Sequence, residues 1–299
     1  MNILHICAGW QPWNGAANIA RMIMDEQRRE GHEVSFATWA KVRELRAADE
    51  VWIHCGWLPC LWWAALWGRN VRWMPEACYD PVRLGFHGWK KWLVGPIERW
   101  CLRRCDRIVA TCEAEKEWIE KYLGKRCPAV EVTDIKRFFD LSRVEHVERV
   151  EERGRVDRVD RVDRVEKGEL HLLYLGRRHP LKGVEYLETA VKGIEGGELR
   201  VVCNAFGEEK EKVWDWCDVL VLPTLSDNFG LVVAEALERG KRVITTDGAP
   251  AWNHEIHETH EKGVWSGYGG RLVYLKGYRD GTPEERISLL KAAIENIAK

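Results

Sequence analysis

Several features are missing from this chain, and each absence excludes something. Net charge is almost absent: over 299 residues, 46 Lys and Arg face 47 Asp and Glu, a formal charge of −1 at pH 7. No global field recruits nucleic acid, so no nucleic-acid partner is expected. No apolar run reaches the roughly 18 residues of a membrane-spanning helix. The most apolar stretch, W-L-P-C-L-W-W-A-A-L-W at 57–67, is too short to span and reads as a buried helix rather than an interfacial patch. The N-terminus, M-N-I-L-H-I-C-A-G-W, lacks the basic start and small-residue cleavage site of a signal peptide and reads as a first strand. The 10 cysteines form no C-x-x-C pair, and no His stands at zinc-like spacing from Cys101 and Cys105 or from Cys55 and Cys60. Reduced, mostly buried thiols in a cytoplasmic protein are expected. No G-x-G-x-x-G occurs, which argues against a dinucleotide cofactor.

Tryptophan is in excess: there are 17, of which 13 lie between Trp10 and Trp118. Indoles fill cores, stack on sugars and anchor at membrane interfaces; core filling is the simplest account. The length suits two domains of ordinary size.

The most informative stretch is 217–252, C-D-V-L-V-L-P-T-L-S-D-N-F-G-L-V-V-A-E-A-L-E-R-G-K-R-V-I-T-T-D-G-A-P-A-W. Val219 to Leu222 has the composition of a strand buried on both faces. A polar loop follows, then a helix predicted from Phe229 to Glu238, with Asn228 as its cap and Gly240 ending it. Val243 to Thr246 is a second strand. Strand, loop, helix and strand make one βαβ unit and imply a parallel α/β sheet. Asp227 and Glu235 bracket the helix start, where open N–H groups near Phe229, Gly230 and Leu231 attract an anion such as phosphate. Carboxylates accept from hydroxyls. A ligand with both hydroxyls and phosphates, a nucleotide-sugar, fits this pattern; the plainer account is a buried βαβ unit with two solvated acids.

The segment S-D-N-F-G-L-V-V-A-E-A-L resembles the E-x7-E signature of retaining GT-B glycosyltransferases of the family 4 type, the glycosyl transferases group 1. Asp227 stands at the first acidic position, usually Glu. Upstream, G-R-R-H-P-L-K-G after a strand at Leu170 to Leu175 resembles the same family's G-R-x-x-x-x-K-G element, followed by a helix from Val184 to Lys192. The resemblance implies that Arg177 and Lys182 hold the donor diphosphate and stabilise the departing charge. It implies that Asp227, with the amides of Asn228, Phe229, Gly230 and Leu231, holds the donor sugar, and that Glu235 holds the ribose. Two cations beside a helix start suit a diphosphate leaving group on physical grounds as well. No metal is then required, and no cofactor beyond the nucleotide-sugar donor.

The first half is similar to that family more diffusely. A strand at Asn2 to Ala8, a loop G-W-Q-P-W-N-G-A-A and a helix from about Ala17 to Glu30 place Gly15 where the family's glycine loop approaches the donor phosphate. After a strand at Val71 to Met74, Glu76 stands where the family often has His or Arg followed by Gly, near the reacting carbon. Residues 88–107 are cationic and aromatic, with Lys90, Lys91, Arg99, Arg103, Arg104 and Arg107 among Trp89, Trp92 and Trp100, interrupted by Pro96. Such a stretch suits either a solvated helix face or peripheral contact with an anionic membrane. At 143–168 valine recurs every three residues at 156, 159, 162 and 165 among eight basic and eight acidic residues, a period that forms no fixed helical face. It reads as a linker. The histidines of H-E-I-H-E-T-H, His254, His257 and His260, read as a solvated helix rather than a metal site.

The expected architecture is α/β of the GT-B type: two Rossmann-like domains with parallel sheets facing across a cleft, an acceptor-side domain at 1–142, the linker at 143–168 and a nucleotide-sugar-binding domain at 169–299. The implied activity is transfer of a sugar, with retention, from a nucleotide-sugar to a glycan or lipid-linked acceptor in cell-surface polysaccharide or lipopolysaccharide assembly. The implied location is the cytoplasm, at the inner face of the membrane if the basic stretch docks there. The alternatives are a catalytically silent nucleotide-sugar-binding scaffold and a sugar-nucleotide epimerase of the same fold.

Overall fold

The computed structural model describes residues 1–12, 14–86, 88–141, 169–255, 258–259, 264–268 and 271–298. The repeat at 143–168 lies outside the described residues, as do His257 and His260. The chain divides into two compact units, Met1–Ile135 and Lys136–Lys299.

Unit 1 is built on strands β1 (Asn2–Cys7), β2 (Glu33–Ala37), β3 (Glu50–His54), β4 (Val71–Met74), β5 (Arg107–Ala110) and β6 (Val130–Val132). Among the described residues they form one sheet in the order β2-β1-β3-β4-β5-β6, with every neighbouring pair parallel. Helices α1 (Gly15–Arg29), α2 (Val42–Ala47), α3 (Pro59–Trp67), α4 (Pro81–Phe86), α5 (Gly88–Leu102) and α6 (Glu113–Leu123) connect the strands. Helix α1 buries Ile19, Ala20, Ile23, Met24 and Gln27, the stripe expected of a helix laid on a sheet. Its cap is Asn14, whose side chain accepts from the Ala16 amide at 3.2 Å, so Gly15 is the first helical residue rather than a loop residue. Helix α5 runs through Pro96, which does not interrupt it. The proline is exposed, so the carbonyl it leaves unbonded, four residues back, can turn to water. Leu45, Ile53, Leu61, Trp73, Leu102 and Ile108 are among the core residues. Each contributes about 1.5–3 kcal/mol of burial.

Unit 2 contains β7 (Leu170–Leu175), β8 (Gly197–Val202), β9 (Val219–Val221), β10 (Arg242–Thr246), β11 (Glu258–Thr259), β12 (Val264–Gly267) and β13 (Leu272–Leu275), in the sheet order β11-β12-β13-β10-β9-β7-β8. Strands β8, β7, β9, β10 and β13 run parallel, whereas β12 is antiparallel to β13 and β11 to β12. The five parallel strands are the Rossmann-like sheet expected, and β12 and β11 extend its edge as an antiparallel hairpin, which needs no crossover helix. Helices α7 (Val184–Val191), α8 (Gly207–Trp216), α9 (Leu231–Glu238) and α10 (Pro283–Ala298) complete the unit. One helix, α8, links β8 to β9.

In both sheets the chain reverses its direction of travel. From β7 it moves one way to β8 and then returns to the other side for β9; from β1 it moves to β2 and returns for β3. The loops leaving the C-terminal ends of two such strands diverge and leave a crevice, the usual ligand position in an open α/β sheet. The G-R-R-H-P-L-K-G and S-D-N-F-G segments are the two loops at the unit 2 reversal.

These loops are packed at backbone distance. Gly183 has φ +62°, and a Cβ there would lie 2.2 Å from the Pro223 carbonyl oxygen. Gly248, after β10, leaves no more room: a Cβ would lie 2.1 Å from the Thr224 carbonyl oxygen. Gly31, at the end of α1, also has positive φ (+85°), but a Cβ there meets nothing within 4 Å. Gly31→Ala therefore carries a conformational cost alone, about 1 kcal/mol, and Gly183→Ala carries that plus a backbone clash, about 3 kcal/mol or more. Denaturant unfolding of the two variants checks this; equal losses would show that the close approach has no energetic weight.

Candidate functional site

The unit 2 crevice is organised by one carbonyl. The Leu181 oxygen accepts from the Leu225 amide at 2.8 Å, the Ser226 amide at 3.3 Å and the Thr224 hydroxyl at 3.1 Å. The loop after β9 is thereby fastened to the loop after β7. The loop after β10 joins them: the Thr246 hydroxyl donates to the Thr224 carbonyl at 2.5 Å, and the Asp227 amide donates to the Gly248 carbonyl at 2.8 Å. Across this seam Lys182 Nζ lies 2.5 Å from Asp227 Oδ2, with the side chains 12% and 22% exposed. At that burial the pair is screened less than a surface ion pair. Asp227 Oδ1 also accepts from the Asn228 amide at 2.8 Å, so both carboxylate oxygens are oriented.

The expected cap is corrected. Helix α9 begins at Leu231, with Gly230 as its cap at φ 66° and ψ 59°, not at Phe229 with Asn228 as its cap. The Phe229 ring is buried against Phe139 and Trp252, and its carbonyl accepts from Trp252 Nε1 at 2.6 Å. Burying that ring takes residue 229 out of the helix, and glycine supplies the left-handed residue needed to re-enter it. The amides of Asp227 and Asn228 are already bonded, so the helix opening consists of Gly230, Leu231 and the turn that follows. Phe229 is an anchor beneath this opening.

Glu235 is the fifth residue of α9, about one turn from its start. Both its oxygens lie 2.7 Å from Lys210 Nζ on α8. Lys210 escaped the sequence reading: nothing in G-E-E-K-E-K distinguishes it from its neighbours. Arg177 is exposed in the loop after β7. Its carbonyl accepts from the buried Tyr174 hydroxyl at 2.7 Å. Burial, and next the Asp227 carboxylate, push the Tyr174 pKa up, while Arg177 opposes the shift, so Asp227 and Arg177 share that hydroxyl's electrostatic surroundings. Arg177, Lys182 and Asp227 therefore gather at one sheet end beside the opening of the helix that carries Glu235. Cations and an open helix end can hold a diphosphate, and oriented carboxylates can accept from hydroxyls.

Gly15 and Glu76 belong to unit 1. Gly15 opens α1 and is exposed. Glu76 lies two residues beyond β4 and is 7% exposed. It ends a buried chain of polar groups: His54 Nδ1 lies 3.2 Å from Glu76 Oε1, His54 Nε2 lies 3.0 Å from His5 Nδ1, and His5 Nε2 lies 2.8 Å from Gln27 Oε1. Both imidazoles are completely buried. Burial pushes the His54 pKa down to about 3, and burial, with His54 next, holds His5 well below 6.5. Burial pushes Glu76 up to about 8. Sequence reasoning missed these histidines, although a His in each apolar run, N-I-L-H-I-C and V-W-I-H, was the available signal.

The backbone here is unusual. Cys55, Trp57, Glu76 and Ala77 all have positive φ. Two buried carboxylates hold them. Glu98 accepts from the Trp57 amide at 2.9 Å, the Tyr79 hydroxyl at 2.7 Å and Trp62 Nε1. Glu115 accepts from the Ala77 amide at 2.5 Å and from the Thr111 amide and hydroxyl at 2.8 and 2.9 Å. Among the described residues no group of three or more His, Cys, Asp or Glu is arranged to hold a metal ion.

The comparisons with known proteins agree with this fold. A family model for a glycosyl transferase 4-like domain matches residues 36–135, and one for glycosyl transferases group 1 matches residues 147–268. No curated protein matches the sequence. Among solved structures, the sucrose-phosphate synthase of Thermosynechococcus elongatus is similar with a TM-score of 0.67 at 14% identity, over 99% of this chain and 89% of that one. HepE of Anabaena, solved with UDP-glucose, has a TM-score of 0.62 at 14% identity, over 99% and 90% of the two chains. WaaG, a glycosyltransferase involved in lipopolysaccharide biosynthesis, has a TM-score of 0.62 at 11% identity, with the same coverage. At these identities the likeness is one of fold.

The raised Glu76 pKa has a consequence for stability. Its folded pKa of about 8 lies above the ordinary 4.5, so the native state favours the neutral acid. The associated stability is fully present below pH 4.5 and is lost as pH rises through 8. Glu76→Gln stays neutral, so its stability relative to wild type is expected to grow between pH 5 and pH 8.5, by on the order of 2–4 kcal/mol. Paired urea titrations across that range check this; a pH-independent difference would place the Glu76 pKa near its ordinary value.

Proposed function

Because the chain belongs to the glycosyltransferases of group 1, whose family model with that of the 4-like domain spans well over half of it, we propose that it moves a sugar from a nucleotide-sugar to a glycan or lipid-linked acceptor, with retention at the anomeric carbon. The observation that carries this reading is the Lys182–Asp227 pair at the unit 2 reversal, held between loops that share the Leu181 carbonyl. Arg177 and Lys182 take the diphosphate and stabilise the charge that develops on it as the glycosidic bond breaks. Asp227, with the amides at the start of α9, takes the donor sugar; Glu235, steadied by Lys210, takes the ribose hydroxyls. These groups offset the pyrophosphate charge without a metal. HepE, solved with UDP-glucose, supports a nucleotide-sugar donor, and WaaG supports a role in surface polysaccharide or lipopolysaccharide assembly.

Transfer to a lipid-linked acceptor suits a protein at the inner membrane face. Among the described residues no helix is long and apolar enough to cross a membrane. Helix α5 nevertheless exposes Trp92 (81%), Leu93, Ile97 and Trp100 (50%). Most cations of this stretch have partners within the fold, although Arg103, Arg104 and Arg107 remain exposed. Lys91 Nζ lies 4.8 Å from the Trp57 ring centre and donates to the Arg83 carbonyl at 3.1 Å, and burial lowers its pKa to about 8. Arg99 lies over Tyr122, Arg104 over Trp100, and Arg107 pairs with Glu131. The apolar ridge, more than the charge, suits peripheral contact with an anionic bilayer.

Two experiments test these readings. A thermal-shift panel of nucleotide-sugars should find a donor that raises Tm. Glu235→Ala should weaken that donor about 10- to 100-fold, while Lys182→Ala and Asp227→Ala should lower turnover about 100-fold or more. Wild-type turnover in all three variants refutes the donor site. Separately, wild-type protein should co-sediment with phosphatidylglycerol-containing vesicles and the Trp92→Glu, Trp100→Glu double variant should not; equal sedimentation removes α5 from the membrane reading.

A further inference from the structure

Strand β8 is an edge of the unit 2 sheet and, among the described residues, pairs with β7 alone. A single helix, α8, carries the chain from β8 to β9, so no further strand is laid outside it. The Gly176 amide donates to the Val202 carbonyl at 3.0 Å, and the Leu170 amide donates to the Gly196 carbonyl at 2.9 Å. The even-numbered residues of β8 therefore turn their backbone groups toward β7, and Gly197, Leu199 and Val201 turn theirs outward. Among the described residues nothing bonds to the outward amides and carbonyls of Leu199 and Val201. No residue of β8 is buried, whereas β9 is buried throughout. The other edges offer less. On β2 the outward carbonyl of Val34 is taken by Arg28 at 3.2 Å, β6 has three residues and β11 has two. An unpaired edge such as β8 is a template for another strand.

The sequence of β8, G-E-L-R-V-V, complements itself in one antiparallel register. A two-fold axis at Leu199 sets Leu199 opposite Leu199 of a second copy, Gly197 opposite Val201, and Glu198 opposite Arg200. The outward-facing residues are symmetric about Leu199, so all three take hydrogen-bonded positions and roughly six backbone bonds can form. Glu198 and Arg200 fall at the non-hydrogen-bonded positions, where facing side chains come closest. Both are exposed, and within one chain Arg200 Nε lies 3.2 Å from Glu198 Oε1 while the guanidinium lies over the Trp216 ring of α8. Two copies close these charges into a ring of alternating sign, a network rather than an isolated surface pair. Edge strands that avoid pairing commonly carry lysines, which a two-fold axis sets against each other. Here one charge of each sign is placed symmetrically about Leu199. On the other face of the strand a groove of about 750 Å³ is lined by Val191, Ile194, Leu199 and Val201. The two-fold axis keeps like faces together, so Leu199 and Val201 of the second copy extend this apolar surface.

We propose that the β8 edge is an interface between two copies of this chain, joined antiparallel about a two-fold axis at Leu199 into one continuous sheet. The occupant is a second copy because the match is with β8 itself: backbone parity, charge and apolar face all repeat under the same axis. Such an interface is isologous and closed, since each copy uses its β8 edge once and assembly stops at two. It rests on one strand pair and the groove beside it, so the dimer is a weak one that forms in the micromolar range. The inference is independent of the transfer reading, because none of the residues proposed to hold the donor lies on β8.

Sedimentation velocity of the full chain between about 1 and 100 μM should show a monomer–dimer equilibrium. Glu198→Arg sets arginine against arginine across the axis, and Arg200→Glu sets glutamate against glutamate. Each variant alone should weaken the dimer about tenfold or more. Mixed in equal amounts, the two variants should form a dimer again, because every facing pair between them is once more an acid and an arginine. Val201→Pro removes an outward amide and leaves the ladder to β7 intact, so it should also abolish the dimer. Both charged positions are exposed, and unchanged urea midpoints establish that the variants are folded. A wild type that stays monomeric at the highest concentration overturns the inference and leaves the edge to a strand of a different protein. A dimer unmoved by either charge variant, or a mixture of the two that stays monomeric, overturns it as well.

Discussion

The Leu181 carbonyl is the point on which unit 2 depends. Three donors from the loop after β9 converge on it, so two loops separated by more than forty residues behave as one surface. Without that seam Lys182 and Asp227 would ride on independent loops, and holding two long side chains in one geometry would cost rotamer freedom that an exposed ion pair scarcely repays. With it, the loops are already fixed by backbone contacts. The close approach at Gly183 and Gly248 has the same origin, because the third loop is drawn in through Thr246 and Asp227.

Both units place polar chemistry at a reversal of strand order, yet they treat their carboxylates differently. In unit 2, Asp227 and Glu235 are partly exposed and each lies against a lysine. In unit 1, Glu76, Glu98 and Glu115 are buried, and desolvation raises all three. What separates them is their hydrogen bonding. Donors from backbone and side chains hold down the shifts of Glu98 and Glu115, and these two brace the strained loops, whereas Glu76 meets a neutral imidazole and a thiol. Environment, rather than residue type, divides the acids into braces and a titrating group.

Much of the fold was legible because burial on both faces leaves a plain mark: Val71–Met74, Leu170–Leu175 and Leu272–Leu275 are strands to the residue. The loops around Lys182 and Asp227 were legible because glycines and charges punctuate them. What escaped notice depended on tertiary partners. The start of α9 moved because the Phe229 ring found Trp252 and Phe139. Lys210 acquires meaning only from the Glu235 side chain opposite it. Lys91 looked like a surface cation until the fold turned it over Trp57. The histidines lay in plain view in apolar strands, but a partner 22 or 49 residues away cannot be read from local pattern. Core filling accounts for Trp73, Trp214 and Trp252, but not for Trp92 or Trp100.

The lysine–carboxylate pairs bear on which ligands the proposed donor site admits. Asp227 and Lys182 satisfy each other, as do Glu235 and Lys210. A ligand that engages one member of a pair must compensate the other, because a partly buried charge left alone is expensive. A free sugar offers hydroxyls to Asp227 but nothing to Lys182. Inorganic phosphate draws Lys182 away and strands Asp227. In the proposed site a nucleotide-sugar presents diphosphate and hydroxyls at once, so both members of the Lys182–Asp227 pair exchange partners together, while the ribose adds to Glu235 without drawing it from Lys210. The pairing that holds the site together thus discriminates against each fragment of the proposed donor, and the discrimination comes from charges the protein would otherwise leave uncompensated.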